Sequence, residues 1–264
     1  MTATEQEQAG KVRLAIEGGI ASVVFDRPHA RNAMTWSMYE ELAAICEQLR
    51  SDPAIRVAIF RGAGGAAFVA GTDIEQFLAF RSGEDGIAYE RIVDQRIAQI
   101  ESLPMPTIAV VEGWAVGGGM AMATACDFRI ATPDARFGIP IARTLGNCIS
   151  IANTARVVAA VGVPRAKRLL LLAEMLGADE LLAAGYLLEV VEAGGIEEAA
   201  TALAQKLASH APLTVRASKE AIARLTQAGL PDGQDLVRSC YGSEDFRIGI
   251  QAFLDKRRPA WIGR

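Results

Sequence analysis

Residues 108–123 read IAVVEGWAVGGGMAMA and divide into a strand, a turn and a helix. The run from Ile108 to Val111 is apolar and largely β-branched, which favours a strand. The three glycines at 117–119 allow a sharp turn and a close approach by another molecule. A helix that begins there has free backbone N–H groups in its first turn, and these attract negative charge. The pattern predicts a site for a phosphate or for an oxyanion that develops during a reaction. A tight strand-to-helix turn that binds no ligand has the same pattern and remains the alternative.

The composition is typical of one large domain, or of one domain with a smaller appendage. Of the 264 residues, 51% are hydrophobic and 22% are charged, which is enough apolar material for a sizeable core. The 27 basic and 31 acidic residues give a net charge of −4. This balance indicates neither a nucleic acid nor a membrane surface as a partner. No uninterrupted apolar run is long enough for a membrane span.

Cysteine and histidine are too sparse for a metal site. The four cysteines lie far apart without a CxxC pair, and only two histidines are present. We therefore expect no metal, and a cytoplasmic protein with reduced thiols. The polar N-terminus lacks the apolar segment of a secretory signal.

Hydrophobic periodicity predicts an α/β fold in which helices bridge the strands. We expect a hairpin around Gly18–Gly19, a helix capped by Thr35, and a loop at 68–74 leading into a helix capped by Asp73. The glycine-containing segment 80–90 is predicted to be a mobile loop or lid, followed by a helix from about residue 89 to 102. The predicted strands are 11–17, 20–26, 57–60, 107–111 and 127–131, with helices at 151–161, 165–176, 178–184 and from 196 onward, broken near Pro212 and Pro231.

Several familiar motifs are missing from the sequence. The glycine cluster lacks the spacing of a dinucleotide fingerprint, and neither a Walker P-loop nor a G-x-S-x-G elbow is present. Asp127 is expected to hold backbone groups, and Glu112 is also interpreted as structural.

Five segments, in order, resemble motifs of the enoyl-CoA hydratase/isomerase, or crotonase, superfamily. Residues 25–34 (FDRPHARNAM) resemble NRPxxxNAL, and residues 68–74 (FVAGTDI) resemble FSAGADI. Residues 108–131 resemble the family's glycine-turn segment. FGIP at 137–140 with Leu145–Gly146 resembles FGxPExxLG, and residues 243–259 resemble the family's SEDF…AFLEKRKP ending. The resemblance covers nearly the whole chain.

The resemblance implies a spiral core of repeated ββα units over residues 1–195. It also implies a C-terminal helical region over 196–264 that forms a homotrimer or a dimer of trimers. The ligand would be an acyl-CoA thioester, with no cofactor beyond the CoA of the substrate. The thioester carbonyl would accept hydrogen bonds from the backbone N–H groups of Thr72 and Gly118. Substrate-binding positions carried over by the resemblance are His29, Ala30, Ala70, Gly71, Asp73, Ile74 and Gly117. Lys256 and Arg257 either meet the CoA phosphates or form a solvated helix end.

Two positions depart from the family pattern. The hydratases place glutamates where this chain has Ala121 and Ile141, and neither side chain can move a proton. Acyl-pocket candidates from the following loop are Asn147, Cys148 and Ser150. Cys148 has no histidine nearby in sequence and is expected to be inert. From the opposite wall, the candidates are Tyr89, Glu90 and Asp94.

Three hypotheses follow. The first is an enzyme that stabilises a thioester enolate without the glutamate pair. Decarboxylation of a malonyl-type acyl-CoA fits it because loss of CO2 needs no general base, while hydration or isomerisation would need a substitute acid. The second is an acyl-CoA-binding protein without catalysis or a structural partner in a mixed assembly. The third is a generic α/β ligand-binding protein.

Overall fold

Each long strand in the middle of the chain is followed by a short strand of a second sheet and then by a helix. The computed structural model describes residues 10–227, 229–230 and 232–264. The strands are β1 Lys11–Glu17, β2 Ile20–Asp26, β3 Val57–Gly62, β4 Ala67–Val69, β5 Thr107–Val111, β6 Trp114–Val116, β7 Phe128–Ala131, β8 Arg136–Gly138, β9 Met175–Gly177 and β10 Glu189–Val190. The helices are α1 Trp36–Ser51, α2 Gly83–Glu101, α3 Gly118–Ala125, α4 Ile141–Thr144, α5 Ile151–Leu170, α6 Ala178–Ala183, α7 Ile196–Ala208, α8 Pro212–Gln227, α9 Gln234–Tyr241 and α10 Glu244–Leu254.

The strands form two sheets. The first has six strands in the order β1-β2-β3-β5-β7-β10, and the second has four in the order β4-β6-β8-β9. Strands β1 and β2 form the predicted antiparallel hairpin, and every other pair of the first sheet is parallel. The second sheet is parallel from β4 to β8, and β9 closes it antiparallel. The units β3-β4-α2, β5-β6-α3 and β7-β8-α4 confirm the predicted spiral of ββα repeats.

Strand β5 shows how the sheet separates two apolar cores. All five of its residues are buried. Ala109 and Val111 face the main core, while Ile108 and Val110 face a second cluster that includes Ile196 of α7. Helix α7 therefore packs across the outer face of the first sheet. The division into a core over 1–195 and an oligomerisation region over 196–264 stays a prediction.

The segment predicted to be a mobile loop at 80–90 is mostly helix. Helix α2 begins at Gly83, where Ser82 and Asp85 form a capping box. Its glycines serve close packing rather than mobility, since a methyl group on Gly86 would lie 2.2 Å from the Tyr241 ring. The prediction that the helix starts near residue 89 was therefore wrong by about two turns.

Further predictions of local structure had mixed outcomes. Residues 67–69 at the start of the expected loop form strand β4, whereas the helix capped by Asp73 is confirmed as a 3-10 helix, Ile74–Ala79. The predicted break after 161 is also confirmed, because Gly162 (φ 76°) is non-helical and separates the two halves of α5, but the second half ends at Leu170 rather than at residue 176. Residues 175–177 are strand β9 because they pair with β8. The predicted break near Pro212 separates α7 from α8, and Pro231 lies outside the described residues.

Candidate active site

Three parallel strands of the second sheet end side by side and place three loops together. Gly71 and Thr72 follow β4, the glycine turn follows β6, and Pro140–Ile141 follow β8. Because β4, β6 and β8 run parallel, their carboxyl ends meet at one edge of the sheet. A methyl group built on Gly117 would lie 3.9 Å from the Gly71 Cα, so the first two loops are in contact. The edge is where α/β sheets commonly hold ligands.

The three glycines of the turn differ in whether the structure could accept a side chain in their place. Gly117 has φ 56°, a conformation that L side chains rarely adopt, and its N–H donates to the Gly138 carbonyl at 2.8 Å. A methyl group on Gly119 would lie 1.9 Å from the Val69 carbonyl oxygen. Gly118 is different, because its nearest neighbour would be the Tyr39 hydroxyl at 3.5 Å. Gly118 thus opens helix α3 with free space beside its Cα.

Backbone hydrogen bonds fix the residues on either side of Thr72, and the Thr72 N–H takes no part in them. The Met34 N–H donates to the Gly71 carbonyl and the Asp73 N–H donates to the Met34 carbonyl, each at 2.9 Å. Within the described residues, neither the Thr72 N–H nor the Gly118 N–H donates a hydrogen bond in a turn, loop or cap. Two unused donors therefore lie on adjoining loops at the same sheet edge.

A cluster of buried hydroxyl groups adjoins these donors. The Thr72 Oγ1 lies 2.8 Å from the Tyr39 Oη and 2.7 Å from the Tyr89 Oη. Burial is the main cause that raises the pKa of both phenols, so both stay neutral at physiological pH. Tyr39 lies on the predicted helix capped by Thr35, and its place beside Gly118 depends on contacts between segments that are distant in sequence.

Glu90 faces the same region from α2 and is buried. The Tyr241 hydroxyl donates to its Oε1 at 2.6 Å, and the Ser150 N–H donates to its Oε2 at 2.9 Å. Burial raises the pKa of Glu90 to about 8; the Tyr241 hydrogen bond opposes this rise and the charge of Asp94 adds to it. Glu90 therefore titrates near neutral pH, where a general acid or base works best.

Asp94, one turn further along α2, anchors the loop that precedes α5. Its Oδ1 accepts from the Ser150 Oγ at 2.6 Å and from the Asn153 Nδ2 at 2.8 Å. Arg156 of α5 donates to the Glu101 carboxylate and to the Asn153 Oδ1, each at 2.9 Å, and so links α5 to α2. Burial raises the pKa of Asp94. Ser150, a predicted acyl-pocket residue, thus contacts both Glu90 and Asp94 of the opposite wall.

Asn147 and Cys148 complete this wall. The Asn147 Nδ2 donates to the Tyr241 hydroxyl at 3.0 Å, whereas its buried Oδ1 has no hydrogen-bond partner among the residues that the structure describes. The Cys148 thiol approaches the Leu236 carbonyl at 3.6 Å. Its hydrogen bond with Cys240, together with burial, raises the pKa of Cys148. The raised pKa keeps the thiol protonated, as expected for an inert cysteine.

At the two positions where the family has glutamates, this chain has apolar residues. Ala121 is buried in α3, and its N–H bonds the Gly117 carbonyl at 3.2 Å. Ile141 opens α4 and packs against the main core. Neither residue offers a titratable group.

Most of the predicted substrate-binding residues lie on two segments, the 3-10 turn at 28–30 and the loop after β4, which are joined by a backbone hydrogen bond. The Ala70 N–H donates to the Arg31 carbonyl at 3.1 Å, which joins the loop after β4 to the 3-10 turn with exposed His29 and half-buried Ala30. Asp73 forms an ion pair with Arg27 at 2.7 Å and caps the short helix that Ile74 begins. The structure therefore brings His29, Ala30, Ala70 and Ile74 to one region, while Asp73 is engaged in holding it. Their contact with a substrate stays a prediction.

The remaining candidates either pair with other side chains or are exposed. The Asp127 carboxylate accepts from the Thr107 N–H at 2.7 Å and pairs with Lys219 at 2.7 Å, so it is structural as expected. Glu112 pairs with Arg61 at 3.2 Å. Lys256 and Arg257 are exposed at the chain's end.

In the described ranges, no cluster of three or more His, Cys, Asp or Glu could hold a metal ion. Across the described part of the chain, none of the helices has both the length and the apolar character needed to cross a bilayer.

Comparison with known proteins decides the family. A family model described as enoyl-CoA hydratase/isomerase matches residues 15–264. The chain belongs to the enoyl-CoA hydratase/isomerase family. It is 33% identical to the short-chain-enoyl-CoA hydratase of Clostridium acetobutylicum over 95% of this chain and 97% of that one.

The solved structures that resemble this chain are named for more than one activity. An enoyl-CoA hydratase/carnithine racemase from Magnetospirillum magneticum is 33% identical, with a TM-score of 0.79, and 96% of each chain is covered. A methylmalonyl-CoA decarboxylase in complex with 2-nitronate-propionyl-CoA is 28% identical with a TM-score of 0.88, over 96% of this chain and 98% of that one. The chain is thus an acyl-CoA-processing enzyme of the family.

Proposed function

We propose that this enzyme binds a malonyl-type acyl-CoA and decarboxylates it through a thioester enolate. One observation carries the proposal: two unused N–H donors, of Thr72 and Gly118, lie beside apolar Ala121 and Ile141. Such donors stabilise an enolate oxygen, and each is worth about 3–4 kcal/mol in known oxyanion holes. The apolar pair supplies no base, and decarboxylation needs none to form the enolate.

The chemistry follows from this arrangement. The thioester oxygen accepts hydrogen bonds from the Thr72 and Gly118 N–H groups. The bond between the α-carbon and the carboxylate breaks, its electron pair forms the enolate, and CO2 leaves. The α-carbon then takes a proton. The N-terminus of α3 adds a positive dipole end beside the charge that develops.

The aromatic side chains around the site support loss of a carboxylate. Tyr89 packs its ring against Phe77 with centroids 4.9 Å apart, and Phe80 lies 5.9 Å from Tyr89. Carboxylates lose hydration in an apolar environment, which raises their energy relative to neutral CO2. The TM-score of 0.88 with a methylmalonyl-CoA decarboxylase also favours this reaction.

Hydration is the second candidate, because the first relative named above is a hydratase. A turnover assay separates the two, with malonyl-CoA, methylmalonyl-CoA and crotonyl-CoA as substrates and calorimetry to measure binding of each. We expect CO2 release from a malonyl-type substrate and no hydration of crotonyl-CoA. Hydration without decarboxylation would contradict the proposal, and tight binding without any turnover would make the chain a non-catalytic binder.

A further inference from the structure

The loss of both family glutamates leaves a proton to be accounted for. An enolate formed by any route must take up a proton at its α-carbon, and Ala121 and Ile141 have none to give. The donor must then come from another wall of the site. Within the described residues, the ionisable groups of the adjoining walls are the phenols Tyr39, Tyr89 and Tyr241, the thiols Cys148 and Cys240, and the carboxyl groups Glu90 and Asp94. Asp73, next to Thr72, is paired with Arg27.

We propose that Glu90 is the acid–base residue of this site and that Tyr241 and Ser150 hold its carboxyl group in place. The inference rests on the enolate chemistry proposed above. Glu90 adjoins Tyr89, whose hydroxyl bonds the Thr72 side chain at 2.7 Å. Each oxygen of Glu90 accepts one hydrogen bond, at 2.6 Å and 2.9 Å, and keeps a lone pair for a proton.

The surroundings of Glu90 suit proton transfer at neutral pH. Its charge also raises the pKa of Tyr39, whose hydroxyl lies 3.5 Å from the Cβ position of Gly118. The carboxyl group is thus within electrostatic reach of the turn. The other phenols and the Cys148 thiol have pKa values raised above their ordinary ranges, so they stay protonated. The hydrogen bond with Cys148 lowers the pKa of Cys240 to about 7, but this thiol bonds Cys148 and not Glu90. Glu90, with a pKa of about 8, can both give and take a proton.

A route to solvent lies behind Glu90. A cavity of about 320 Å³ is lined by Glu90, Asp94 and Ser150 on one side and by Gly233 and Val237 on the other. Water in this cavity could restore the proton of Glu90 after each turnover. The charged and titratable groups that face Glu90 or line this cavity are Tyr39 of α1, Tyr89, Arg91 and Asp94 of α2, Cys148 of the loop before α5 with its partner Cys240 of α9, Asp232, and Tyr241 of α9, with Arg156 of α5 behind Asp94.

The proton balance of two reactions gives opposite pH profiles. In decarboxylation, the protonated Glu90 gives its proton to the α-carbon and becomes a carboxylate, which water reprotonates. In α-hydrogen exchange of propionyl-CoA in D2O, the carboxylate takes the α-proton and later returns deuterium to the enolate. Decarboxylation should therefore fall above pH 8, while exchange should rise toward pH 8.

Two variants of the neighbours test this assignment without removing Glu90. Asp94→Asn removes a negative charge that raises the pKa of Glu90, so both profiles should move to lower pH. Tyr241→Phe keeps the ring and removes the hydrogen bond that lowers this pKa, so both should move to higher pH. We expect shifts in opposite directions of about one pH unit.

Glu90→Gln should abolish propionyl-CoA exchange, and Glu40→Gln, which changes an exposed glutamate of α1, should retain both wild-type profiles. The assignment is overturned if Asp94→Asn and Tyr241→Phe keep the wild-type inflection, or if Glu90→Gln still exchanges at the wild-type rate. Calorimetry with propionyl-CoA keeps this result separate from the proposed function. A chain that binds no CoA ester refutes the function, whereas one that binds and decarboxylates with unshifted profiles refutes only the role of Glu90.

Discussion

Gly118 allows one backbone donor to be removed without reshaping the turn. Proline is well accepted at the first position of a helix, where the N–H has no intrahelical partner. Gly118→Pro removes the N–H, and Gly118→Ala keeps it and adds only a methyl group 3.5 Å from the Tyr39 hydroxyl. We expect kcat to fall about 10²–10³-fold in the proline variant and much less in the alanine variant. Equal losses in steady-state assays of the two variants would argue against a donor role.

Glu90 should make stability depend on pH. Its pKa is about 8 in the folded chain against an ordinary value of 4.5, so the folded state binds more protons between these values. The contribution of Glu90 to the free energy of unfolding is therefore complete below pH 4.5 and falls by about 1.4 kcal/mol per pH unit as the pH rises toward 8.

Urea unfolding of the wild type and Glu90→Gln at pH 5.5 and 7.5 measures this effect. The stability of the wild type relative to the variant should drop by about 3 kcal/mol between the two pH values. The pH curve of Glu40→Gln, which removes an exposed carboxylate, should follow that of the wild type. Parallel pH curves for the wild type and Glu90→Gln would show that Glu90 is not buried as described.

The elements were predictable from sequence in proportion to their length. Strands β1, β2, β3, β5 and β7 have four to seven residues and carry their own apolar patterns. The second sheet was missed because β4, β6, β8 and β9 have three residues each, too few to show a period. Thr72 and Gly118 followed from motifs. The contact between Glu90 and Tyr241 joins residues 151 apart and left no local signal.

The start of α2 was wrongly predicted to be a mobile loop because its glycines were interpreted as signs of mobility. Gly86→Ala would place a methyl group 2.2 Å from the Tyr241 ring, so α9 must move away from α2. We expect a loss of about 1–3 kcal/mol in unfolding free energy, although glycine-to-alanine changes in open helices stabilise. Gly194→Ala, whose new methyl group has no atom of the described residues within 4 Å, is the matched control. Denaturant unfolding that finds Gly86→Ala more stable than the wild type would contradict this packing.

The whole chain is predicted to form a homotrimer or a dimer of trimers, and α8 carries an unusual apolar surface. Leu213, Ile222 and Leu225 are 78%, 62% and 84% exposed. Apolar patches of this kind commonly mark contacts between proteins. Sedimentation equilibrium should give at least three times the chain mass of 28.1 kDa. Leu225→Glu should lower this mass, while Leu182→Glu on α6 should not, and a monomeric wild type would contradict the prediction.

The structure of the whole enzyme with propionyl-CoA bound is the most direct test of the proposed site. We predict a thioester oxygen within about 3.2 Å of the backbone nitrogens of both Thr72 and Gly118. The α-carbon should then face the wall formed by Glu90 and Tyr241. A thioester bound at another edge of the sheet, or one that contacts neither nitrogen, would contradict the account.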